Sequence, residues 1–259
     1  MPFLYFRGYI FDLDGTVYRG EKLIPGARET VEKLKSLGKK VVYLSNKPIQ
    51  TREDYAAKLT RLGISTDPAE VINSSLVMAR WLSQQAAGAT IYVIGEPSLV
   101  AEMASAGFRL SEAPEEVQYV VAAFDRTFDY RKLNIALQAI KGGAHFVATN
   151  PDRTCPVEGG EIPDCAAMIG AVEGTTGKKV ETIVGKPSVV MIQVAMSSIG
   201  LATQDCLLVG DRLETDIVMG KNAGMATALV LTGVTGRESL RHSSIQPDYV
   251  WESLAEIIR

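Results

Sequence analysis

The sequence predicts an α/β protein: a doubly wound parallel sheet of Rossmann-like type with an inserted α/β cap domain. Three observations predict it. Apolar runs alternate with amphipathic stretches over the first third of the chain and again over the last third. Four of the apolar runs stop at polar residues of related chemistry. Between the two thirds, IYVIG, YVVAAF and HFVATN supply strands that belong to neither.

The elements follow in order. Tyr9, Ile10 and Phe11 make a first strand over 8–12. After Pro25 and Gly26 a helix begins in which Ala27, Val31, Leu34 and Leu37 fall at helical spacing, and Gly38 closes it. The strand KKVVYLSN comes next, completing a right-handed strand, helix, strand unit with parallel strands. Helices are expected over 51–62, before Gly63, and over 74–85. The last third resumes the alternation with ETIVGKP, a helix over 188–199, DCLLVGD, a helix over 215–223, ATALVLTG, and a final short strand and helix in PDYVWESL. The expected division is a core of residues 1–82 and 181–259 and an inserted cap of residues 83–180, with seams that carry Gly and Pro.

Composition excludes several functions. With 259 residues and 46% hydrophobic content the chain can bury a substantial core. A net charge of −3 and the lack of a dense Lys/Arg block argue against nucleic acid as a partner. No apolar stretch reaches the roughly 18 to 20 residues that span a bilayer, and MPFLYFRGYIFD has no charged region followed by a long apolar one, so the expectation is a soluble, cytoplasmic protein with no membrane partner. Cys155, Cys165 and Cys206 contain no CxxC pair and fit reduced thiols rather than a disulfide framework or a zinc site. There are two histidines: His242 lies in a polar segment, and His145 fits a strand or core position better than a general base.

The chemistry concentrates where apolar runs end. FDLDGTVYR places Asp12 and Asp14 two apart, so in extended backbone both acids face one way and Leu13 turns to the core. Gly15 permits the close backbone approach that a loop around an anion needs. The second run ends at Ser45 and Asn46, a hydroxyl and an amide suited to phosphate oxygens. The third ends at Lys186, able to neutralise a phosphoryl group and a neighbouring carboxylate. The fourth ends at Asp211, with Asp216 five residues on. Any one of these is an ordinary turn or loop opening. Together they set four carboxylates against one lysine in a single crevice, and all-oxygen ligation of the remainder points to Mg2+.

The set Asp12-x-Asp14-Gly15-Thr16, Ser45-Asn46, Lys186 and Gly210-Asp211-x4-Asp216 resembles the haloacid dehalogenase superfamily of phosphohydrolases. An insert between the second and third motifs, with ATNPDRTCP inside it, resembles the class IIA, NagD-like or 4-nitrophenylphosphatase-like subgroup. The resemblance implies a magnesium-dependent phosphomonoesterase acting on small phosphate esters, sugar phosphates first, through an aspartyl-phosphate. Asp12 would be the nucleophile and Asp14 the general acid and base. Asp12, Asp211 and the main-chain carbonyl of Asp14 would hold magnesium. Ser45 and Asn46 would hold the phosphoryl group, Lys186 would stabilise its charge, and Asp216 would orient Lys186 or a water on the metal.

Many relatives carry Asn where this chain has Lys47, which puts either a second cation near the phosphate or a solvated surface lysine there. In the insert, Asn150, Pro151, Asp152 and Arg153 occupy a segment that in relatives faces the active site. Asp152 and Arg153 could therefore read the leaving group, although an Asn-Pro-Asp turn fits the same residues. Relatives commonly dimerise through the cap, so a homodimer is an expectation. The competing readings are a phosphotransferase or mutase, and a phosphometabolite sensor of the same fold that has lost turnover; the intact Asp14 argues against the sensor. A dinucleotide-dependent dehydrogenase is disfavoured because no GxGxxG follows the first strand.

Overall fold

Strands Gly8–Asp12 and Cys206–Gly210 are buried at every position, as parallel strands are when helices cover both faces of their sheet. In the computed structural model, which describes residues 3–157 and 159–259, they lie side by side in a six-stranded sheet. Its order is Tyr249–Trp251, Ala226–Val230, Cys206–Gly210, Gly8–Asp12, Lys40–Ser45, Val71–Asn73. Gly8–Asp12 is parallel to both neighbours, with Phe11 opposite Val209 on one side and Tyr43 on the other. The chain therefore winds away from this strand in two directions, and the crevice such a switch creates opens beyond Asp12.

The helices form where the spacing places them, and their caps set the ends. Ala27–Ser36 buries Ala27, Thr30, Val31 and Leu34. Leu37, expected on that buried stripe, caps the helix and is 46% exposed. Val189–Ile199 starts at Ser188, whose side chain accepts from the Val190 N–H, and ends at Gly200 in the left-handed region. Between the sheet and the helix Ala27–Ser36, the core joins Tyr9, Phe11, Tyr43, Leu207 and Val209 to Trp251 and Leu254 from the end of the chain.

The chain forms two compact units. One holds the chain up to Ser45, Arg52–Ile72 and Lys186–Arg259; the other holds Asn46–Thr51 and Asn73–Gly185. The second unit has its own five-stranded parallel sheet, in the order Thr182–Ile183, His145–Ala148, Tyr119–Ala122, Thr90–Ile94, Arg109–Leu110. Its core is built from Val120, Ala122, Ala136, Phe146, Met168 and Val172. A hairpin of Thr154–Val157 with Gly160–Pro163 stands apart from that sheet. The helix Ser74–Ala86 belongs to this unit from its first residue, so the sequence boundary at 82–83 falls inside a helix.

Two strands differ from the sequence reading. ETIVGKP, taken as part of the first sheet, contributes Thr182–Ile183 to the second sheet, where it pairs with Val147 and Ala148. The short strand Val71–Asn73, which the sequence reading missed, occupies the edge of the first sheet. A short apolar run states that a strand forms but not which sheet receives it; pairing is decided by tertiary packing. His145 opens a strand, yet it is exposed rather than core, with Nδ1 2.8 Å from Glu181 and its ring stacked on Tyr119. The three cysteines are buried and form no disulfide among the described residues. No helix among the described residues is long and apolar enough to cross a membrane.

Phe11 is fully buried between Tyr9 and Tyr43, with ring centroids 6.2 and 6.4 Å away. Phe11→Ala is expected to cost about 3 to 5 kcal/mol through lost burial and the cavity it leaves, read as a lower urea midpoint at an unchanged slope.

Candidate functional site

Where the first strand ends, the chain turns back on itself. The Leu13 carbonyl accepts from the N–H groups of Thr16, Val17 and Tyr18, and the Gly15 N–H donates to the Tyr18 carbonyl at 2.8 Å. Leu13 enters the core as the alternation requires. Gly15 sits at φ +91°, and a Cβ there would stand 2.5 Å from Asp211 Oδ2. Its N–H thus serves the turn, and its left-handed backbone and the Asp211 carboxylate both demand a glycine.

The structure brings Asp12, Lys186, Asp211 and Asp216 together. Lys186 Nζ donates to Asp12 Oδ1 in a short contact and to Asp216 Oδ1 at 2.8 Å. The other Asp216 oxygen accepts from the Arg212 N–H at 3.2 Å. Asp216 lies on a widened turn rather than at the start of the regular helix predicted over 215–223. The Arg212 carbonyl accepts from both Asp216 and Ile217, giving a π-helical turn over Leu213–Ile217 before the short helix Val218–Asn222. Such turns recur at functional sites.

Ser45 is buried at the end of its strand, and its hydroxyl donates to the Tyr55 hydroxyl at 3.2 Å. Tyr55 and Lys58 share one side of the helix Arg52–Arg61, and Lys58 Nζ stands 4.0 Å above the Tyr18 ring. Burial raises the Tyr18 phenol far above its ordinary range, with Asp14 and Tyr55 adding to the rise. Asp14 is half-buried.

The remaining expected site residues lie in the second unit. The Asn46 side chain donates to Asp152 Oδ2 at 3.0 Å, and its carbonyl accepts from Ser74 Oγ and Asn150 Nδ2. The Asp152 N–H donates to Asn150 Oδ1 at 2.9 Å, and its carbonyl accepts from Ala166. Asp152 therefore closes a turn and holds Asn46. Lys47 is half-buried and Arg153 exposed.

The sequence reading missed residues 232–235, which follow the strand Ala226–Val230. Val234 N–H donates to Asp211 Oδ2 at 2.6 Å, Thr235 N–H to the Asp211 carbonyl at 3.1 Å, and Thr232 Oγ1 to the Gly15 carbonyl at 2.6 Å. Their one visible signal was position, since ATALVLTG is another apolar run that ends at a hydroxyl and a glycine.

The electrostatics favour a cation. Among the described residues, Asp12, Asp211 and Asp216 form the one acidic group able to share an ion, with ligand atoms within 4.8 Å of one another. Burial pushes the Asp12 carboxyl up to about 8 against the pull of Lys186, and Asp216 and Asp211 push it the same way. Burial and Asp216 push Asp211 up to about 6, opposed by the Val234 N–H. Burial works against the Lys186 charge, but Asp12 and Asp216 outweigh it and hold the ammonium above its ordinary range. Asp12 Oδ2 is buried and has no hydrogen-bond partner among the described residues. A buried carboxylate oxygen without a donor, among carboxylates that outnumber their lysine, fits a hard divalent cation.

Comparison with known proteins agrees with this geometry. A model of haloacid dehalogenase-like hydrolases matches residues 9–109, and a second HAD-hydrolase-like model matches residues 183–257. The sugar-phosphatase AraL of Bacillus subtilis is 42% identical over 252 residues, covering 97% of this chain and 92% of that protein. The p-nitrophenyl phosphatase from Archaeoglobus fulgidus superposes with a TM-score of 0.92 at 35% identity, covering 98% of both chains. NagD from Escherichia coli K-12 superposes with a TM-score of 0.90 at 30% identity, covering 97% of this chain and 98% of that one.

The raised carboxyls set a pH dependence. Between about pH 4 and 8 the folded metal-free protein binds more protons than the unfolded chain, whose Asp groups titrate near 3.9, so stability falls as pH rises through about 6 and then about 8. In EDTA the melting temperature is expected to drop over this window, and Asp211→Asn to flatten the fall near pH 6. A melting temperature that climbs with pH would contradict the assignment.

Proposed function

The chain belongs to the haloacid dehalogenase-like hydrolase family and is a phosphatase, and from that premise we propose that it hydrolyses phosphate monoesters of small sugars, and 4-nitrophenyl phosphate in the assay tube, with magnesium as cofactor. The observation that carries the reading is Asp12: a buried carboxylate at the carboxyl end of the central strand, with Lys186 on one oxygen and, among the described residues, no donor on the other. The relatives named sugar phosphatase and p-nitrophenyl phosphatase support the substrate class.

Asp12 attacks phosphorus and forms an aspartyl-phosphate as the ester oxygen departs. Asp14, half-buried two residues on, gives that oxygen its proton. It then takes a proton from the water that attacks the aspartyl-phosphate, which releases inorganic phosphate and restores the Asp12 carboxylate and the protonated Asp14. Lys186, held between Asp12 and Asp216, faces the charge that develops on the phosphoryl oxygens in both steps. Ser45, with Asn46 next in the chain, holds those oxygens once its hydroxyl turns from Tyr55, to which it donates here, to the phosphoryl group. Asp216 directs both its oxygens to the protein and acts through Lys186. Magnesium, held by Asp12, Asp211 and the Asp14 carbonyl, would supply charge neutralisation to the carboxylates and the transferring group.

The test is phosphate release, with and without EDTA, across sugar phosphates, glycerol phosphate, nucleoside monophosphates, pyridoxal phosphate and 4-nitrophenyl phosphate. Sugar phosphates are expected to lead, and chelation to abolish turnover. Isomerised or transferred phosphate without free phosphate would instead indicate a mutase or phosphotransferase. Asp12→Asn is expected to remove phosphate release while leaving the melting profile folded; hydrolysis near the parent rate would eliminate Asp12 as nucleophile.

A further inference from the structure

We propose that residues 232–235 form a brace that limits Asp211 to offering one carboxylate oxygen, and so biases the site toward a small octahedral cation and against calcium. This rests on the divalent-cation reading above and goes beyond it, by assigning selectivity to a segment with no titratable side chain.

The polar contacts described for the segment go to Asp211 and to Gly15, which packs against its carboxylate. Val234 N–H holds Oδ2 at 2.6 Å, Thr235 N–H holds the Asp211 carbonyl, and Thr232 Oγ1 ties the segment to the Gly15 carbonyl at 2.6 Å. The backbone lies against the carboxylate from two sides. A Cβ on Gly233 would stand 1.9 Å from Asp211 Oδ2, and one on Gly15 2.5 Å from the same atom. Oδ2 is thus wedged between two glycines and fixed by a backbone donor, while Oδ1 is left for a ligand.

The consequence follows from coordination chemistry. Calcium takes about six to eight oxygens and often binds a carboxylate through both, whereas magnesium demands near-octahedral geometry at about 2.0 to 2.1 Å, met by single oxygens and water. A carboxylate that cannot release its second oxygen cannot chelate the larger ion. A segment needed only to close the fold could be anchored anywhere; this one is anchored on the carboxylate and on the glycine that packs against it.

The experiment is calorimetric titration of the EDTA-stripped full-length protein with Mg2+ and, separately, Ca2+. Parent, Thr232→Val, Thr232→Ser and Gly233→Ala are compared, with the metal-free melting temperature as a folding check. Thr232→Val is expected to weaken Mg2+ binding roughly tenfold, the scale of lost support behind a metal ligand, while Ca2+ binding holds or tightens. Thr232→Ser keeps the hydroxyl and is expected to retain the parent ratio; Gly233→Ala, which pushes a methyl into the carboxylate, is expected to lose more Mg2+ affinity than Thr232→Val. An unchanged Mg2+ to Ca2+ ratio in folded Thr232→Val, equal loss of both ions, or failure of Thr232→Ser to keep the ratio would overturn the brace. No binding of either ion by the parent protein would overturn the cation reading itself and the brace with it.

Discussion

Asp12, Asp211 and Asp216 are all buried and lie within a few ångströms of one another, and one lysine sits among them. Three anions against one cation, withdrawn from water, form an arrangement in which each uncompensated charge carries a desolvation penalty of several kcal/mol. The surrounding structure offsets that penalty oxygen by oxygen. Lys186 is shared between Asp12 and Asp216, backbone N–H groups from Arg212 and Val234 take two further oxygens, and the remainder falls to a proton or a metal. The raised Asp12 and Asp211 carboxyls express the same imbalance. A fold that tolerates this cluster must place donors at fixed points around it.

A parallel sheet does so cheaply because its strand ends lie in register. Asp12 pairs opposite Leu44, one residue before Ser45, and Gly210, one residue before Asp211, pairs opposite Leu229. The central position of Gly8–Asp12, with Lys40–Ser45 on one side and Cys206–Gly210 on the other, brings groups distant in sequence to the same edge without a long loop. The widened turn at Leu213–Ile217 then turns Asp216 back toward Lys186. The site is thus a property of strand order, and its loops refine side-chain placement.

Much of this was legible in the sequence because the residues involved are unusual where they stand. An Asp, Lys or Ser at the end of an apolar strand contradicts its surroundings, and Asp12, Ser45, Lys186 and Asp211 were found by that contradiction. What escaped detection lacks it. Thr232, Gly233 and Val234 look like any turn, since two act through the main chain and the third through a common hydroxyl. ETIVGKP reads as a strand and contributes one, yet nothing local says that Thr182 and Ile183 pair with Val147 and Ala148 instead of joining the strand of Asp12. Asp152 was expected to read the leaving group because its segment faces the active site in relatives; the turn it closes was the alternative reading, and its bond to Asn46 was not visible. Its partner Asn46 lies more than a hundred residues away, a relation that spacing does not carry.

The three buried carboxylates illustrate how like residues take unlike roles. Asp216 has both oxygens committed, to Lys186 and to the Arg212 N–H, so making it a metal ligand would require breaking a bond inside a low-dielectric site. Asp211 has one oxygen held by Val234, and Asp12 one held by Lys186. In Asp12 the other oxygen is buried with no hydrogen-bond partner among the described residues. Distance alone groups the three as equivalent; hydrogen-bond accounting separates Asp216, with both oxygens bonded to the protein, from Asp12 and Asp211. That difference in remaining acceptors is what supports the proposed roles of nucleophile, metal ligand and lysine support.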